Sequence, residues 1–484
     1  MILMSASGYD TIFRLYIVVG LIVLALAAFF VYKKISGDKI FLFLILGVGS
    51  VLLFVEPIFA TPDEPLHYAN AYQISSFFYG EEFGVGYSTR RTIDWLPPYK
   101  DSELTKEGYD RYVSSFGGNQ DKSTYVFFDN YATGSSKLLY LFSGVGVTLA
   151  RVFQTSFGTL SIMGALGNLL FYAFMLYYSA KIIPVGKRVI YVLGLMPMCM
   201  QQATSYSYDA VLIPCAILII AMALRVSQDK AFRLRWWDIL FAGFSFLVLF
   251  VAKGKAYFPI AIAAGIIIFK KSWLDKKYKK YWLAIGSVAV MGIVVFFCVL
   301  HGGERILGLL HMEPTINRSG NLSYAPIYYF THIKETFSIF SNTLTTRGSD
   351  YLYEMVGGKL GWLQVWLHPV LMKLIMLLLM LSCIRRPEEK SLPIIKRILV
   401  TGCAFFAILL PMFAMLIFET EKTSVVIEGF QGRYMLPSVL PFCISVFFWK
   451  KPLLSTEKIK DVYFAVVAGI LLYISYIDFL VKIT

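Results

Sequence analysis

Long apolar segments recur along this chain and limit what it can fold into more than any other feature. A backbone in lipid has no water to bond, so a spanning segment must be a helix of about 20 residues that satisfies its own hydrogen bonds. Apolar segments of spanning or near-spanning length lie at approximately residues 13–32, 40–60, 138–157, 160–180, 188–202, 210–226, 237–252, 256–270, 281–300, 363–384, 398–418, 434–449 and 461–481. We therefore predict an all-α integral membrane protein, a polytopic helical bundle with about 12–13 transmembrane helices.

The amino-acid composition agrees with this class. Of the 484 residues, 57% are hydrophobic and 16% are charged, whereas soluble domains carry roughly 25% charged residues. The formal net charge of +14 comes mostly from short connectors between apolar segments, where it suits membrane lipids with anionic headgroups as partners. It is no evidence for nucleic acid as a partner.

The basic connectors predict the orientation of the helices. Six of them are rich in lysine and arginine, at residues 33–39, 181–188, 225–235, 270–280, 385–397 and 450–460. By the positive-inside rule these connectors face the cytoplasm. The polar regions 61–137, 301–362 and 419–432 then lie on the extracytoplasmic side of a cell membrane.

This alternation divides the chain into five regions. They are N-terminal transmembrane helices (1–60), a first extracytoplasmic loop that contains a juxtamembrane helix (61–137), a transmembrane bundle (138–300), a second extracytoplasmic loop (301–362) and C-terminal transmembrane helices (363–484). If both 138–157 and 160–180 crossed the membrane, every later basic connector would fall on the wrong side. One of the two segments is therefore expected to be interfacial or re-entrant, and Arg151 and Gln154 make 138–157 the weaker span; which of the two crosses stays open.

Cysteine and histidine patterns indicate neither a disulfide framework nor a zinc site. The six cysteines all lie inside apolar runs, and the spacings of the five histidines match no zinc signature. We therefore predict no cofactor, with a divalent metal left open.

The first long polar region opens with "TPDEPLH", which directly follows an apolar segment. Thr61 as N-cap with Glu64 three residues later fits a capping box, in which the acids only stabilise the start of a helix. Pro65 disfavours helical geometry at Glu64, so the cap could instead be Asp63 or Glu64. A helix through this stretch places Asp63 and His67 one turn apart on one face. Capping and catalysis are equally compatible with the pattern.

Asp209 is a second acidic candidate, in "QATSYSYDA" between two apolar segments. An aspartate just before a helix that begins near Ala210 favours an N-cap role on its own. Its alternative role, orienting a substrate, requires other polar groups nearby.

Two motifs carry basic residues on the predicted extracytoplasmic side. In "VAKGKAYFP", Lys253 and Lys255 lie between two apolar segments, against the positive-inside preference. In "EGFQGRYMLP", Arg433 precedes a late apolar segment. Such side chains can simply reach lipid headgroups, but paired ammonium groups and a planar guanidinium also suit a lipid phosphate or a sugar diphosphate.

Five motifs in a fixed order give the chain a family resemblance: "TPDEPLHYANAYQIS", "MPMCMQQATSYSYD", "KGKAYFP", "GGKLGWLQVWLHP" and "QGRYMLP". Over about residues 40–450 the chain resembles a bacterial family of predicted multi-pass membrane proteins of unknown function. That family in turn is similar to glycosyltransferases of the GT-C architecture, which use sugars carried on polyprenyl phosphate. The residues that follow His67 and the extra first span, 13–32, depart from the family pattern, so the sugar and the acceptor stay open.

The resemblance to GT-C enzymes implies a role for each candidate. Asp63 corresponds to the catalytic base at the start of the first outer loop, with Glu64 as the neighbouring option. Lys253 or Lys255 corresponds to a basic residue that contacts the donor phosphate, and Arg433 to a late outer arginine. The predicted catalytic residues are Asp63, Glu64 and His67, and the predicted substrate-binding residues are Asp209, Lys253, Lys255, Tyr257, Gln431, Arg433 and Tyr434.

The implied function is transfer of a sugar from a polyprenyl-phosphate-linked donor to a cell-envelope glycan or glycolipid acceptor on the extracytoplasmic face. A sugar on a phosphate already has a good leaving group. One base for the acceptor hydroxyl and cations for the departing phosphate therefore suffice for a single, inverting displacement.

Two other classes of protein compete with a glycosyltransferase. A transporter or flippase of lipid-linked glycans could use the same cations to hold a pyrophosphate in transit, although the sequence has no repeat of the kind that many transporters show. A non-enzymatic envelope scaffold would explain the hydrophobic frame but not the basic residues in the outer connections.

Overall fold

The structure of the protein is a computed structural model that describes residues 7–84, 87–91, 94, 104–117, 124–129, 136–229, 231–269, 315–316, 320–446 and 460–483. Its α-helices are α1 Gly8–Tyr32, α2 Gly37–Val55, α3 Glu64–Tyr79, α4 Lys106–Ser114, α5 Leu141–Val152, α6 Phe157–Ile182, α7 Lys187–Gly194, α8 Pro197–Ala203, α9 Asp209–Gln228, α10 Trp236–Val251, α11 Phe258–Ile268, α12 Pro326–Thr331, α13 Ile333–Met355, α14 Pro369–Ser382, α15 Ile394–Phe418, α16 Leu436–Val446 and α17 Asp461–Val481. Short 3₁₀ helices occupy Lys137–Tyr140, Ala252–Lys255 and Gly432–Met435.

Strands are few and short, and they lie in the connections between helices. β1 Phe83–Gly84, β2 Tyr87–Arg91 and β3 Tyr125–Asp129 form an antiparallel sheet in the order β1-β2-β3. Two small antiparallel pairs follow, β4 Thr315–Ile316 with β5 Leu322–Ser323, and β6 Lys359–Leu360 with β7 Val365–Trp366. The predicted all-α class is confirmed, with these ribbons as additions to the loops.

Seven helical segments among the described residues are long and apolar enough to cross a membrane. They are α1, α2, α6, α9, α10 with its 3₁₀ extension, α15 and α17, while α11 and α14 are apolar but shorter. The chain is therefore a polytopic membrane protein.

Several predicted spans fold differently from the expectation. The stretch 188–202 is divided into α7 and α8, because Met196 adopts an extended conformation before Pro197. The stretch 434–449 begins as a 3₁₀ helix, and the predicted span 281–300 lies outside the described residues. The helical part of 138–157 is reduced to the 12 residues of α5 and the 3₁₀ turn before it.

The bundle has two ends that differ in their contacts. At the basic end, Asp38 at the start of α2 forms an ion pair of 3.2 Å with Lys187 at the start of α7. At the loop end lie α3, α4 and α5. Tyr140, just before α5, bonds to His67, and Arg151 in the last turn of α5 bonds to Ser75, so both ends of α5 contact α3. α5 thus stays at the loop end while α6 reaches the basic end, so of the two segments whose crossing was left open only 160–180 extends between the two ends.

Close packing of α5 on α6 holds this arrangement. A Cβ atom at Gly146 would lie 2.0 Å from the carbonyl oxygen of Met163, and one at Gly167 would lie 2.2 Å from the carbonyl oxygen of Phe142. Small residues here let two helix backbones approach without intervening side chains. α6 also packs against α2 and α9, so it connects the loop end to the centre of the bundle.

Candidate functional site

Four of the motifs found in the sequence meet at the loop end of the bundle. Asp63 lies immediately before α3, Asp209 is the first residue of α9, Lys253 lies in the 3₁₀ helix after α10, and Arg433 lies in the 3₁₀ helix before α16. These elements are far apart in sequence. The helix ends therefore bring acids and cations from separate motifs into one cluster, here called the acid–base cluster: Asp63, Asp209, Lys253 and Arg433.

Asp63 is the most accessible member of the acid–base cluster. Its φ of 64° places it in the left-handed region, and it precedes α3 without a side-chain capping bond to the helix. Its side chain is 50% exposed, and Oδ2 lies 3.0 Å from Nη2 of Arg433. A carboxylate held by one partner and open to solvent on the other side can accept a proton from a bound molecule.

Arg433 is the buried centre of the acid–base cluster. Besides Asp63, it donates from Nη1 to Oε1 of Gln202 at 3.2 Å, and its Nε lies 3.9 Å from Oδ2 of Asp209. The Nε atom is buried and makes no hydrogen bond. A buried guanidinium donor without an acceptor has capacity left for an anionic ligand.

The charges of the cluster set its protonation. Burial tends to raise the pKa of Asp63, but the charge of Arg433, together with that of Lys253, outweighs it and holds this pKa below its usual range. Burial lowers the pKa of His67 to about 3, so the imidazole is neutral. At neutral pH Asp63 is thus an ionised carboxylate beside a neutral histidine.

His67 lies one turn after Asp63 on α3, as the sequence predicts. Its Nδ1 is 2.9 Å from the hydroxyl of Tyr140, and its ring meets the ring of Tyr208 edge to face at 5.1 Å between centroids. These contacts fix the orientation of the imidazole next to Asp63.

Glu64 turns away from the acid–base cluster. It is buried, and its carboxylate accepts the backbone N–H groups of Thr61 at 3.2 Å and Tyr206 at 3.0 Å. The helix starts after Asp63, so the cap at Thr61 is corrected in favour of the later start that Pro65 requires. Glu64 therefore ties the turn before α3 to the connection before α9.

The N-cap role expected for Asp209 is wrong. Asp209 is already inside α9, the cap position belongs to Tyr208, and the backbone N–H of Asp209 donates to Oγ of Ser207 at 3.2 Å. The reason is that the turn "SYSYD" supplies its own serine oxygen. The carboxylate of Asp209 is left to face Arg433.

The "KGK" connection is a sharp kink of left-handed residues. Lys253, Gly254 and Lys255 have φ values of 42°, 60° and 75°. The left-handed region costs a residue with a side chain about 1–2 kcal/mol, so two lysines are held in an unfavourable backbone. Such strain persists where the surroundings enforce it, and it often accompanies a functional site.

The kink presents Lys253 to the motif that carries Arg433. Nζ of Lys253 lies 3.0 Å from the centroid of the Tyr434 ring. The hydroxyl of Tyr257 donates to the carbonyl oxygen of Tyr434 at 3.0 Å, which joins the two motifs through the backbone. Lys255 lies instead beside the ring of Phe250, at 5.5 Å.

Gln431 is the remaining predicted ligand residue. It precedes the 3₁₀ helix of Arg433, and its Oε1 is buried without a hydrogen-bond partner. The amide is therefore a second polar group near Arg433 with unused bonding capacity.

Sequence reasoning missed the residues that position the cluster. Glu354 of α13 accepts a hydrogen bond from the backbone N–H of Gly432 at 3.0 Å, and it forms an ion pair of 2.9 Å with Lys359. The indole N–H of Trp362 donates to the carbonyl oxygen of Phe59 at 2.6 Å. Trp362 belongs to the "GKLGW" motif, which was noted in the sequence without a role. Glu354 lies in no motif, so the sequence around it gives no sign of its function.

No group of three or more metal-ligating side chains comes together within the described part of the chain. The acid–base cluster, with two carboxylates and two cations, has the composition of an anion-binding and proton-accepting site.

Comparison with known families places the chain in a described family. A family model described as "Predicted membrane protein (DUF2142)" matches residues 43–441. No curated protein and no solved structure matches the chain.

Proposed function

The chain belongs to the DUF2142 family of predicted membrane proteins, and we propose that it is a membrane glycosyltransferase of the GT-C type. In this proposal it transfers a sugar from a polyprenyl-phosphate donor to a cell-envelope glycan or lipid-linked acceptor. The reaction takes place at the loop end, on the extracytoplasmic face of a bacterial cell membrane.

One observation carries the proposal: an accessible carboxylate lies beside a buried arginine that has an unbonded donor, Nε. Asp63 is half exposed, and Arg433 beside it is 3% exposed with an unbonded Nε. Transfer from a sugar phosphate needs a proton acceptor next to an anion-binding group, so the distance of 3.0 Å between these side chains supports this chemistry.

The proposed reaction is a single displacement. The acceptor hydroxyl gives its proton to the Asp63 carboxylate, and its oxygen forms a bond to the anomeric carbon. The bond from that carbon to the phosphate oxygen breaks, and the phosphate leaves with the electron pair. The products are an inverted glycoside and polyprenyl phosphate, whose growing negative charge Arg433 and Lys253 stabilise.

The surroundings supply candidates for the other roles. Asp209 orients Arg433, and His67 orients Asp63 or the sugar. Gln431 offers an acceptor for a sugar hydroxyl, while Tyr257 and Tyr434 hold Lys253 in place. Lys255 adds positive charge to the same connection.

An apolar cavity lined by residues of the helix that follows Arg433 supports a lipid-borne donor. The cavity has a volume of about 270 Å³ and lies between α13, α14, α15 and α16. Met435, two residues after Arg433, lines it together with Leu352, Met376, Ile408 and Phe442. A donor with a phosphate on Arg433 could place part of its isoprenoid chain there, where burial contributes about 0.8 kcal/mol per CH₂ group.

A transfer assay with the purified full chain tests the proposal. The protein in lipid nanodiscs is supplied with a polyprenyl phosphate that carries a radiolabelled sugar and with a cell-envelope fraction as acceptor. Asp63→Asn should lower transfer by roughly 10²–10⁴-fold, because it removes the general base. Glu107→Gln, an exposed carboxylate of α4 at the same end, is the matched control and should keep full activity.

Full transfer by the Asp63→Asn variant would contradict this base. Movement of labelled lipid across a liposome membrane without formation of a glycoside would instead favour a transporter of lipid-linked glycans.

A further inference from the structure

A second polar pair lies further along α3, away from Arg433. Nζ of Lys137 lies 2.5 Å from Oδ1 of Asn70. Asn70 follows His67 by three residues, and Tyr140 follows Lys137 by three residues in a 3₁₀ helix. Residues at these spacings share a face. The pairs His67–Tyr140 and Asn70–Lys137 therefore form two successive rungs between α3 and the 3₁₀ helix.

The orientation of Asn70 is set by its second bond. Nδ2 of Asn70 donates to the carbonyl oxygen of Leu66 at 2.8 Å, so Oδ1 is the atom that faces Lys137. This arrangement holds the ammonium group of Lys137 in place but uses only one of its three N–H bonds.

The charge of Lys137 is not matched by an acid. Within the described residues, no carboxylate lies at salt-bridge distance from it, and its hydrogen-bond partner is a neutral amide. The residue is only partly exposed, and burial lowers its pKa to about 8. A partly buried cation without a counter-charge is costly, and binding an anion would offset this cost.

The position of the pair relative to Asp63 is informative. Asn70 is seven residues from Asp63 along the helix, which corresponds to about 10 Å. Arg433 and Lys253 approach Asp63 from α16 and α10, whereas Lys137 approaches α3 from the loop that precedes α5. Lys137 is thus a cationic group separate from Arg433 and Lys253, about two turns of α3 away from Asp63.

We propose that Lys137, held in place by Asn70, forms a subsite for an anionic group, a phosphate or a carboxylate, of the acceptor glycan. This inference rests on the proposed function, because it assigns Arg433 and Lys253 to the donor and Lys137, further along α3, to the acceptor. The subsite selects an acceptor whose anionic group lies about 10 Å from the hydroxyl that reacts.

Binding of model oligosaccharides without donor tests the subsite. The probes are a fluorescent glycerol-phosphate oligomer, a uronic-acid oligosaccharide and a neutral oligosaccharide of the same length, each titrated against the full chain in nanodiscs. Wild-type protein should bind at least one anionic probe roughly tenfold more tightly than the neutral one. A preference for the first probe identifies a phosphate as the ligand, and a preference for the second identifies a carboxylate.

Variants separate Lys137 from other cations. Lys137→Met keeps the apolar stem and should abolish the preference for anions, while Lys137→Arg should keep it. Lys106→Ala, an exposed lysine of α4 at the same end, should bind like wild type. Lys137→Met should also bind polyprenyl phosphate with unchanged affinity.

Three results would overturn the subsite. They are equal affinity of wild-type protein for all probes, an unchanged preference in Lys137→Met, and a preference lost in Arg433→Lys but kept in Lys137→Met. The proposed function fails in a different way, because a protein that does not transfer sugar can still show a Lys137-dependent preference for anions.

Discussion

The two ends of the bundle each hold a cluster of charges, and the clusters differ in how well their charges are matched. At the basic end, Arg188 lies 2.7 Å and Arg386 lies 3.1 Å from the carboxylate of Asp461, and Lys187 lies 3.2 Å from Asp38. Every cation named here has a carboxylate partner on another element. These pairs join α2, α7 and α17 and the loop before α15, which is a structural role.

In the acid–base cluster at the loop end, by contrast, not every charged group has a partner of opposite charge. Lys253 lies on the ring of Tyr434, and no carboxylate among the described residues is at salt-bridge distance from it. Arg433 has a buried Nε without a hydrogen bond, and Asp63 is half exposed. Charges left without partners are costly in a folded protein, and in the proposed function the donor phosphate offsets this cost at Arg433 and Lys253.

Of the variants proposed, Asp461→Asn should lower the stability of the folded protein most. This result would show that the charges at the basic end have a structural role. It leaves Arg188, whose side chain is 4% exposed, without its carboxylate partner. Loss of one partner of a buried pair costs about 3–5 kcal/mol, so we expect a clear drop in the midpoint of thermal unfolding in detergent. Activity per folded molecule should be unchanged.

Asp229→Asn is the matched control for that variant. Asp229 pairs with Arg225, and both side chains are about one-third exposed, at 31% and 35%. Such a pair contributes about 0–1 kcal/mol, so its midpoint should barely move. Loss of transfer in Asp461→Asn without loss of stability would contradict the division between the two ends.

Arg433→Lys should have a smaller effect, and on ligand binding rather than on folding. Lysine keeps the charge beside Asp63 and Asp209 but removes the planar fork of donors. A hydrogen bond to a charged group contributes about 1.5–3 kcal/mol, so affinity for polyprenyl phosphate should fall roughly tenfold or more. Isothermal titration of the nanodisc-bound protein measures it. Unchanged affinity would remove Arg433 from the phosphate site.

Sequence patterns were informative for the residues of the cluster because each lies next to the end of an apolar segment. Asp63 follows one such segment and Arg433 precedes another. Because the end of a membrane helix lies near the membrane surface, residues adjacent to it in sequence must lie there too. The same patterns could not tell Asp63 from Glu64. That difference depends on Tyr206, 142 residues further on, whose backbone N–H binds Glu64.

The number of crossings was harder to predict for a related reason. Hydropathy counts apolar residues, but α5 is apolar because it packs on α6 through Gly146 and Gly167 at the loop end. An apolar face that meets protein has the same composition as one that meets lipid. Arg151 was the local signal, since it pairs with Glu81 of the first loop.

The smallest effect expected is also the sharpest test of the strained connection, and it compares Lys253→Gly with Lys253→Ala. Both variants lose the ammonium group and its contact with Tyr434, so both should bind polyprenyl phosphate more weakly and to the same extent.

The two variants differ in the backbone at position 253, because only glycine adopts the φ of 42° freely. The left-handed region costs about 1–2 kcal/mol for alanine, and glycine returns part of that through its more flexible unfolded chain, roughly 0.5–1 kcal/mol. Lys253→Gly should therefore be the more stable of the two by up to about 1.5 kcal/mol. Thermal unfolding measures the difference. Equal stability of the two variants would mean that the backbone of the kink is not strained. Backbone strain would then not distinguish the Lys253 connection from the ion pairs at the basic end.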